Sequence, residues 1–322
     1  MGTLPRLVRL LRHLTDPIAP LSFNRQGFAL NRVGFEEDDA RGDGRIALVT
    51  GANSGIGLAT SRELARRGFD VWMLCRDRER GRAARDAVLA AHGERVHLAV
   101  VDVSRLASIR RFARELPLDR VDVLVHNAGV LPDRRTITED GVELTFATHV
   151  LGPFAMTALL LGRLSRSTDA RVVFVASGGL YPQRLDLDLL EVDEASFDGV
   201  RAYANAKRAQ VILARLLAER LAGEAPITFA SMHPGWVDTP ALRSSLPRFY
   251  GLMAPLLRTP EQGADTVVWL ASSPEVKGSQ GELWFDRRVA MQYPLPWTRE
   301  TAAARVGLLS TCEQLCGIEL AR

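Results

Sequence analysis

Lysine is almost missing from this chain. Of 41 lysines and arginines only two, Lys207 and Lys277, are lysines. Where lysine persists in such a background, a compact ammonium is doing something a planar guanidinium cannot. Lys277 reads as a loop residue and Lys207 as the one to explain. Cysteine is scarce too. Cys75, Cys312 and Cys316 make an odd set, which argues against a disulfide framework and for a reducing, cytoplasmic setting. Cys312 and Cys316 would share a helix face, but no histidine or carboxylate cluster accompanies them, so no metal site is expected. No apolar run reaches the ~18 residues needed to span a bilayer. A net charge of +3 over 322 residues, with no basic run interleaved with aromatics, argues against nucleic acid as a partner.

What is present fits a soluble globular chain with a sizeable core: 47% apolar and 25% charged residues. Residues 1–44 read as an N-terminal extension. Leu7, Leu10, Leu11 and Leu14 fall at helical spacing, with Arg6, Arg9 and Arg12 on other faces. Such a basic amphipathic helix over residues 1–20 packs on the body, makes an oligomer contact or lies on a membrane surface. Packing or oligomer contact is favoured, so a homodimer and peripheral membrane contact both remain open.

From Arg45 onward strands and helices alternate. Strands are expected at 46–49, 71–75, 96–101, 121–125, 171–176, 227–232 and 282–285. Helices are expected at about 58–67, 80–91, 104–115, 141–164, 203–221 and 261–271. Repeated βα units with apolar strands predict an α/β fold with one parallel sheet covered on both faces. Ligands then bind at the carboxyl edge, where the strand-following loops gather.

The first of those loops is Thr50-Gly51-Ala52-Asn53-Ser54-Gly55-Ile56-Gly57. A strand that breaks into glycines and re-forms as a helix suits a dinucleotide pyrophosphate. The backbone can approach the phosphates, and the helix N-terminus favours their charge. Nineteen positions after Gly57, at the end of the second strand, stands Arg76. A carboxylate there would bind the ribose 2′-hydroxyl of NAD, whereas a guanidinium suits a 2′-phosphate. NADP(H) is therefore favoured over NAD(H), the competing reading being that the adjacent Asp77 takes the ribose. Asp102-Val103 would meet the adenine, and Asn127-Ala128-Gly129 would pass the cofactor ribose.

Tyr203 and Lys207 lie at i and i+4 on one helix face. An ammonium beside a phenol draws its pKa down toward the working range, so Tyr203 can exchange a proton with a carbonyl or alcohol oxygen. Lys207 would also hold the nicotinamide ribose. Ser177 closes the fifth strand at the same edge and can orient the substrate oxygen. Capping a turn is its alternative role.

In this order the motifs resemble the short-chain dehydrogenase/reductase family, whose pattern is T-G-x-x-x-G-x-G, N-A-G, Ser and Y-x-x-x-K. The resemblance covers about residues 45–290, leaving 291–322 as a C-terminal extension expected to be helical. Pro234, Gly235, Val237 and Thr239 match the family's nicotinamide-side P-G-x-V-x-T segment. The Cys-Arg-Asp ending at 75–77 and the 26-residue step from Ser177 to Tyr203 resemble its retinol-dehydrogenase-like, NADP-preferring branch. Phe197-Asp198-Gly199, Tyr203 to Gln210, Ser231 to Trp236 and Glu261 to Thr266 resemble one narrow subgroup, which also carries a basic N-terminal extension. The resemblance implies a doubly wound Rossmann sheet of seven parallel strands, one domain, and Ser–Tyr–Lys catalysis of hydride transfer between a nicotinamide and a carbonyl or alcohol. One position departs. Where the family has a catalytic Asn on the long helix, this chain has His149, which either serves a proton relay or is a structural histidine. Segments 178–202 and 236–260 would set specificity. The second holds Trp236, Leu242, Leu246, Phe249, Tyr250, Leu252, Met253, Leu256 and Leu257, an apolar lid suited to a lipophilic small molecule or to ordinary packing. A dinucleotide-binding scaffold or redox sensor without turnover is the alternative to an enzyme.

Overall fold

A computed structural model describes residues 22–36, 40–93, 95–223 and 226–320. The expected leucine–arginine helix near the N-terminus lies outside them. Eight strands form one sheet in the order β3-β2-β1-β4-β5-β6-β7-β8. They are β1 (Ile46–Thr50), β2 (Asp70–Cys75), β3 (Val96–Val100), β4 (Val123–His126), β5 (Ala170–Val175), β6 (Ile227–Met232), β7 (Gln280–Phe285) and β8 (Arg288–Val289). Strands β1 to β7 are parallel, as the sequence predicts. The eighth is a two-residue antiparallel addition to β7, too short to leave a periodic signal, and it corrects the count of seven.

Alternation along each strand builds two cores. Leu48, Leu74, Leu124, Val172 and Phe174 face one side, packed against α4 (Leu106–Glu115), α5 (Leu144–Leu164), α6 (Gly199–Arg220) and α10 (Ala302–Cys316). Ala47, Val49, Met73, Val125 and Val173 face the other, under α2 (Gly55–Arg66), α3 (Arg78–His92) and α9 (Pro260–Ser272). Each fully buried aliphatic or aromatic side chain contributes roughly 1.5–3 kcal/mol, so two-sided burial explains the nearly continuous apolar strands. Helix α5 is long and apolar enough to cross a membrane by length and composition, but most of it is buried in this core. It is therefore the exception to the expectation that no such stretch exists, since its few polar residues had hidden the pattern.

Strand order reverses between β1 and β4, whose neighbours are β2 and β5. That switch point opens a crevice beyond their carboxyl ends. Helix starts near it differ from the sequence reading: α2 begins at Gly55 rather than Leu58 and α6 at Gly199 rather than Tyr203, and two more have a visible cause. Helix α4 begins at Leu106 rather than Ser104. Ser104 instead bonds Asp102 Oδ1 through both its N–H and its hydroxyl, and Asp140 from a distant loop accepts from Leu106 N. Helix α5 begins at Leu144 rather than Gly141, because Glu143 accepts from the backbone of Thr145 and Phe146.

Within α5 the segment Ala147–Leu151 is π-helical and wholly buried. Gly152 N–H reaches back to Ala147 O, one residue further than an α-helix allows. Glycine is required there, since a Cβ would lie 2.0 Å from Val103 O. The wide turn carries His149.

Two short helices, α7 (Pro240–Ser245) and α8 (Pro247–Met253), form the lid, and neither holds a fully buried residue. Before β1, α1 (Arg25–Arg32) packs against the body at the same end.

Candidate active site

The glycine turn is built by close approach. Gly51 has φ +64°, and a Cβ on it would lie 2.9 Å from Ala128 Cα. On Gly57 a Cβ would lie 2.4 Å from both Asn127 Nδ2 and Gly51 O. Asn127 earns its place by spanning the switch point: its Nδ2 donates to Thr50 O (2.8 Å), and its N–H donates to Thr50 Oγ1 (2.9 Å). Ala128 N shares that hydroxyl at 3.0 Å. Gly55 sits against the Thr239 side chain, 3.1 Å from a Cβ placed on it, while Thr239 Oγ1 caps α7 by accepting from Leu242 N. Ser54 precedes α2 without a side-chain cap bond. The N–H groups of Gly55, Ile56 and Gly57 thus begin a helix with no Ser54 side-chain cap, which fits an anionic phosphate. Asn53, Ser54 and Ile56 are half-buried around this turn.

Arg76 is exposed at the end of β2. Asp77 beside it caps α3, its Oδ1 accepting from Arg80 N at 3.0 Å. Asp102 is tied into the turn described above, and the Val103 carbonyl abuts Gly152. The segment holding Pro234 and Val237 closes on the glycine turn, since Gly263 meets both Val237 and Ile56 and Gly55 meets Thr239. Val237 packs against Gly263 of α9, and Gly235 adopts φ +74°.

Helix α6 packs chiefly on β6 and β7 and reaches β5 more lightly. Asp198 starts it by accepting from the N–H groups of Val200 and Arg201. Tyr203 and Lys207 share one face, with Lys207 Nζ 5.5 Å from the centre of the Tyr203 ring. The Ser177 side chain lies beside the Tyr203 phenol and favours its ionised form, and Gly179 N donates to Ser177 Oγ at 3.2 Å. The three sequence-predicted residues therefore converge.

The electrostatics differ from the sequence expectation. Burial holds the Tyr203 phenol above its ordinary value, and the neighbouring Ser177 hydroxyl works against that rise. Lys207 does not reverse it, because its Nζ donates to Val175 O (2.8 Å) and Gln210 Oε1 (3.0 Å) while standing over the ring. Burial instead lowers the amine itself to about 7. Gln210 was missed from sequence, although its position three residues after Lys207 puts it on the same face.

His149 is fully buried and stands edge-on to Tyr203, with ring centroids 5.3 Å apart. Its Nε2 faces Val130 O at 2.8 Å and Val130 N at 3.1 Å, so either tautomer finds a backbone partner. Nδ1 has none. Burial, with the Lys207 charge nearby, holds the imidazole neutral, well below its ordinary pKa. Gly129 makes room for the ring, since a Cβ there would lie 2.7 Å from His149 Cε1.

With this geometry in view, similarity to known proteins decides the family. The model described as short chain dehydrogenase matches residues 45–185. Dehydrogenase/reductase SDR family member 12 of Bos taurus is 38% identical over 300 residues, covering 91% of this chain and 93% of its own. This chain is a short-chain dehydrogenase/reductase. Member 12 is the subgroup that the four segments noted in the sequence resemble. Retinol dehydrogenase 14 of Mus musculus is 37% identical, covering 76% of this chain and 78% of its own. Among solved structures, an uncharacterised protein from Mycobacterium paratuberculosis superposes with a TM-score of 0.71 at 29% identity, covering 88% of this chain and 97% of that one. As a member of this family the chain is an oxidoreductase whose fold binds a nicotinamide dinucleotide.

Proposed function

We propose that this short-chain dehydrogenase/reductase is NADP(H)-dependent and interconverts a lipophilic carbonyl and its alcohol. When bound, the cofactor supplies or accepts the hydride. Gly51, Gly55, Ile56 and Gly57 line the pyrophosphate, with Asn53 and Ser54 beside it. Asp102 and Val103 border the adenine, and Asn127, Ala128 and Gly129 the ribose. Pro234, Gly235, Val237 and Thr239 flank the nicotinamide. Arg76 takes the 2′-phosphate. What supports that preference is the capping bond of Asp77, which engages the neighbouring carboxylate that could have served a 2′-hydroxyl instead.

Ser177 donates a hydrogen bond to the substrate oxygen and Tyr203 gives it a proton, or takes one in the reverse direction. Lys207, the buried amine over the Tyr203 ring, stabilises the phenolate that forms, and His149 borders the same proton path. The lid side chains Leu242, Leu246, Phe249 and Leu252 offer an apolar cover, with Leu252 79% exposed. Leu257 is fully buried and serves packing. The observation that carries the reading is the single cluster of Ser177 hydroxyl, Tyr203 phenol and Lys207 amine at the switch-point edge. Its test is NADPH oxidation with a panel of aldehydes and ketones, comparing the native protein with Tyr203→Phe. A fall in kcat of about 10²–10⁴-fold is expected, with NADPH affinity nearly unchanged. Undiminished turnover in that variant refutes the assignment.

One observation favours a second reading, a dinucleotide-binding protein without turnover. Nε2 of His149, at the family's Asn position, is committed to the Val130 backbone. Tight NADPH binding with no turnover across the panel would select it.

A further inference from the structure

Phe23, from the extension before the first strand, is only 3% exposed. Its ring packs among Tyr181, His233, Trp236 and Phe285, at centroid distances of 6.0, 4.7, 6.0 and 5.3 Å. It enters between two glycines. A Cβ on Gly178, next to Ser177, would lie 2.4 Å from Phe23 Cε2, and one on Gly235 would lie 2.6 Å from Phe23 O. The Phe23 carbonyl accepts from Trp236 N at 2.8 Å. Trp236 in turn meets Phe249 of the lid edge-on at 5.3 Å. A continuous contact therefore runs from the Ser177 loop through Phe23 to the lid.

The segment is fixed by Arg258, 1% exposed, whose guanidinium donates to the carbonyls of Ser22, Phe23 and Asn24. The same guanidinium pairs with buried Asp286 at 2.6 and 2.9 Å. Asn31 donates to that carboxylate at 2.7 Å. Asp286 and Arg287 both have positive φ, at 48° and 59°, where glycine or asparagine is ordinary. A turn held in that conformation by the buried Arg258–Asp286 pair and by Arg287 on Asp265 is a costly anchor, and it fastens the extension to the substrate side of the site.

We propose that Phe23 is a positioning residue for substrate selection: it sets the spacing between the Ser177 loop and the Trp236–Phe249 lid, and so the length of lipophilic carbonyl that fits. The selection rests on the carbonyl reductase reading above, whereas the spacing itself does not. The test uses the full chain as native protein, Phe23→Ala, Phe23→Leu and, as a core control, Phe154→Ala.

With NADPH and linear aldehydes from hexanal to dodecanal, Phe23→Ala is expected to change the long-to-short ratio of kcat/KM by roughly tenfold, mostly through KM. NADPH affinity stays within about twofold, and Phe23→Leu restores most of the native ratio. The Phe154→Ala control leaves the ratio unchanged. Hydrogen–deuterium exchange supplies a readout independent of turnover. Phe23→Ala should raise exchange at 178–184 and 236–257 while sparing β1 to β3. An unchanged chain-length ratio in an active enzyme overturns the proposal, and so does exchange that is unaltered or raised uniformly. If native protein reduces neither these aldehydes nor the ketones of the panel above, the carbonyl reading fails. The exchange pattern then decides the spacing role by itself.

Discussion

His149 meets Tyr203 edge to face, with ring planes 89° apart and no hydrogen bond between them. The imidazole is anchored by Val130 at Nε2, which leaves Nδ1 as a buried polar atom without a partner.

That relationship makes His149→Ala informative. It removes the partner of the Val130 backbone and should destabilise by about 1–3 kcal/mol. His149→Asn keeps a polar anchor and should retain turnover. Denaturant midpoints and steady-state kinetics check the pair. Equal turnover in the native protein and the Ala variant would assign the ring a structural role alone.

The Lys207 amine, lowered to about 7 by burial, predicts a pH dependence with a definite sign. Between that value and the ordinary lysine range the unfolded chain binds more protons than the folded one. Stability attributable to this group therefore rises as pH rises from about 7 toward 10.5. The slope is at most about 1.4 kcal/mol per unit. Lys207→Met should flatten this component in melts taken at pH 7 and pH 9. In the reductive direction, turnover that uses the charged amine should fall as pH rises through about 7.

Arg76→Glu tests the cofactor preference. Removing a charge-assisted contact to a 2′-phosphate and placing a carboxylate there should weaken NADPH binding roughly tenfold or more relative to NADH. Fluorescence titration with both nucleotides reads this directly. An unchanged ratio would move the 2′-phosphate contact elsewhere.

Arg258→Met strips the partner from a carboxylate that is only 2% exposed. A loss of about 3–5 kcal/mol is expected. The double variant with Asp286→Asn, which removes the unpaired charge and suits the positive φ, should recover part of it, the carbonyls of Ser22, Phe23 and Asn24 staying unpaired. Urea unfolding of the three proteins checks the cycle.

Much of the site was legible because its chemistry depends on local spacing. Glycines at 51, 55 and 57 and the pair Tyr203–Lys207 are each set within one turn or one helix face. The seven parallel strands followed from continuous apolar runs. Interactions that join distant parts of the chain left no such trace. Asp140 capping α4 and the two-residue β8 are examples, as is Phe23 reaching Gly178 across the whole domain. The electrostatics failed for a related reason: the i,i+4 spacing placed Lys207 beside Tyr203, while Val175 and Gln210, one of them on another element, decided where the ammonium points.

The shortage of lysine has a practical corollary. A protease that cleaves after lysine finds only two sites in the entire polypeptide, one on an exposed loop at Lys277 and one sealed beneath the nucleotide crevice at Lys207. In the native protein the first is open to nicking. Scission at the second reports that the catalytic helix has come away from the sheet, giving an inherent gauge of local opening with no added label.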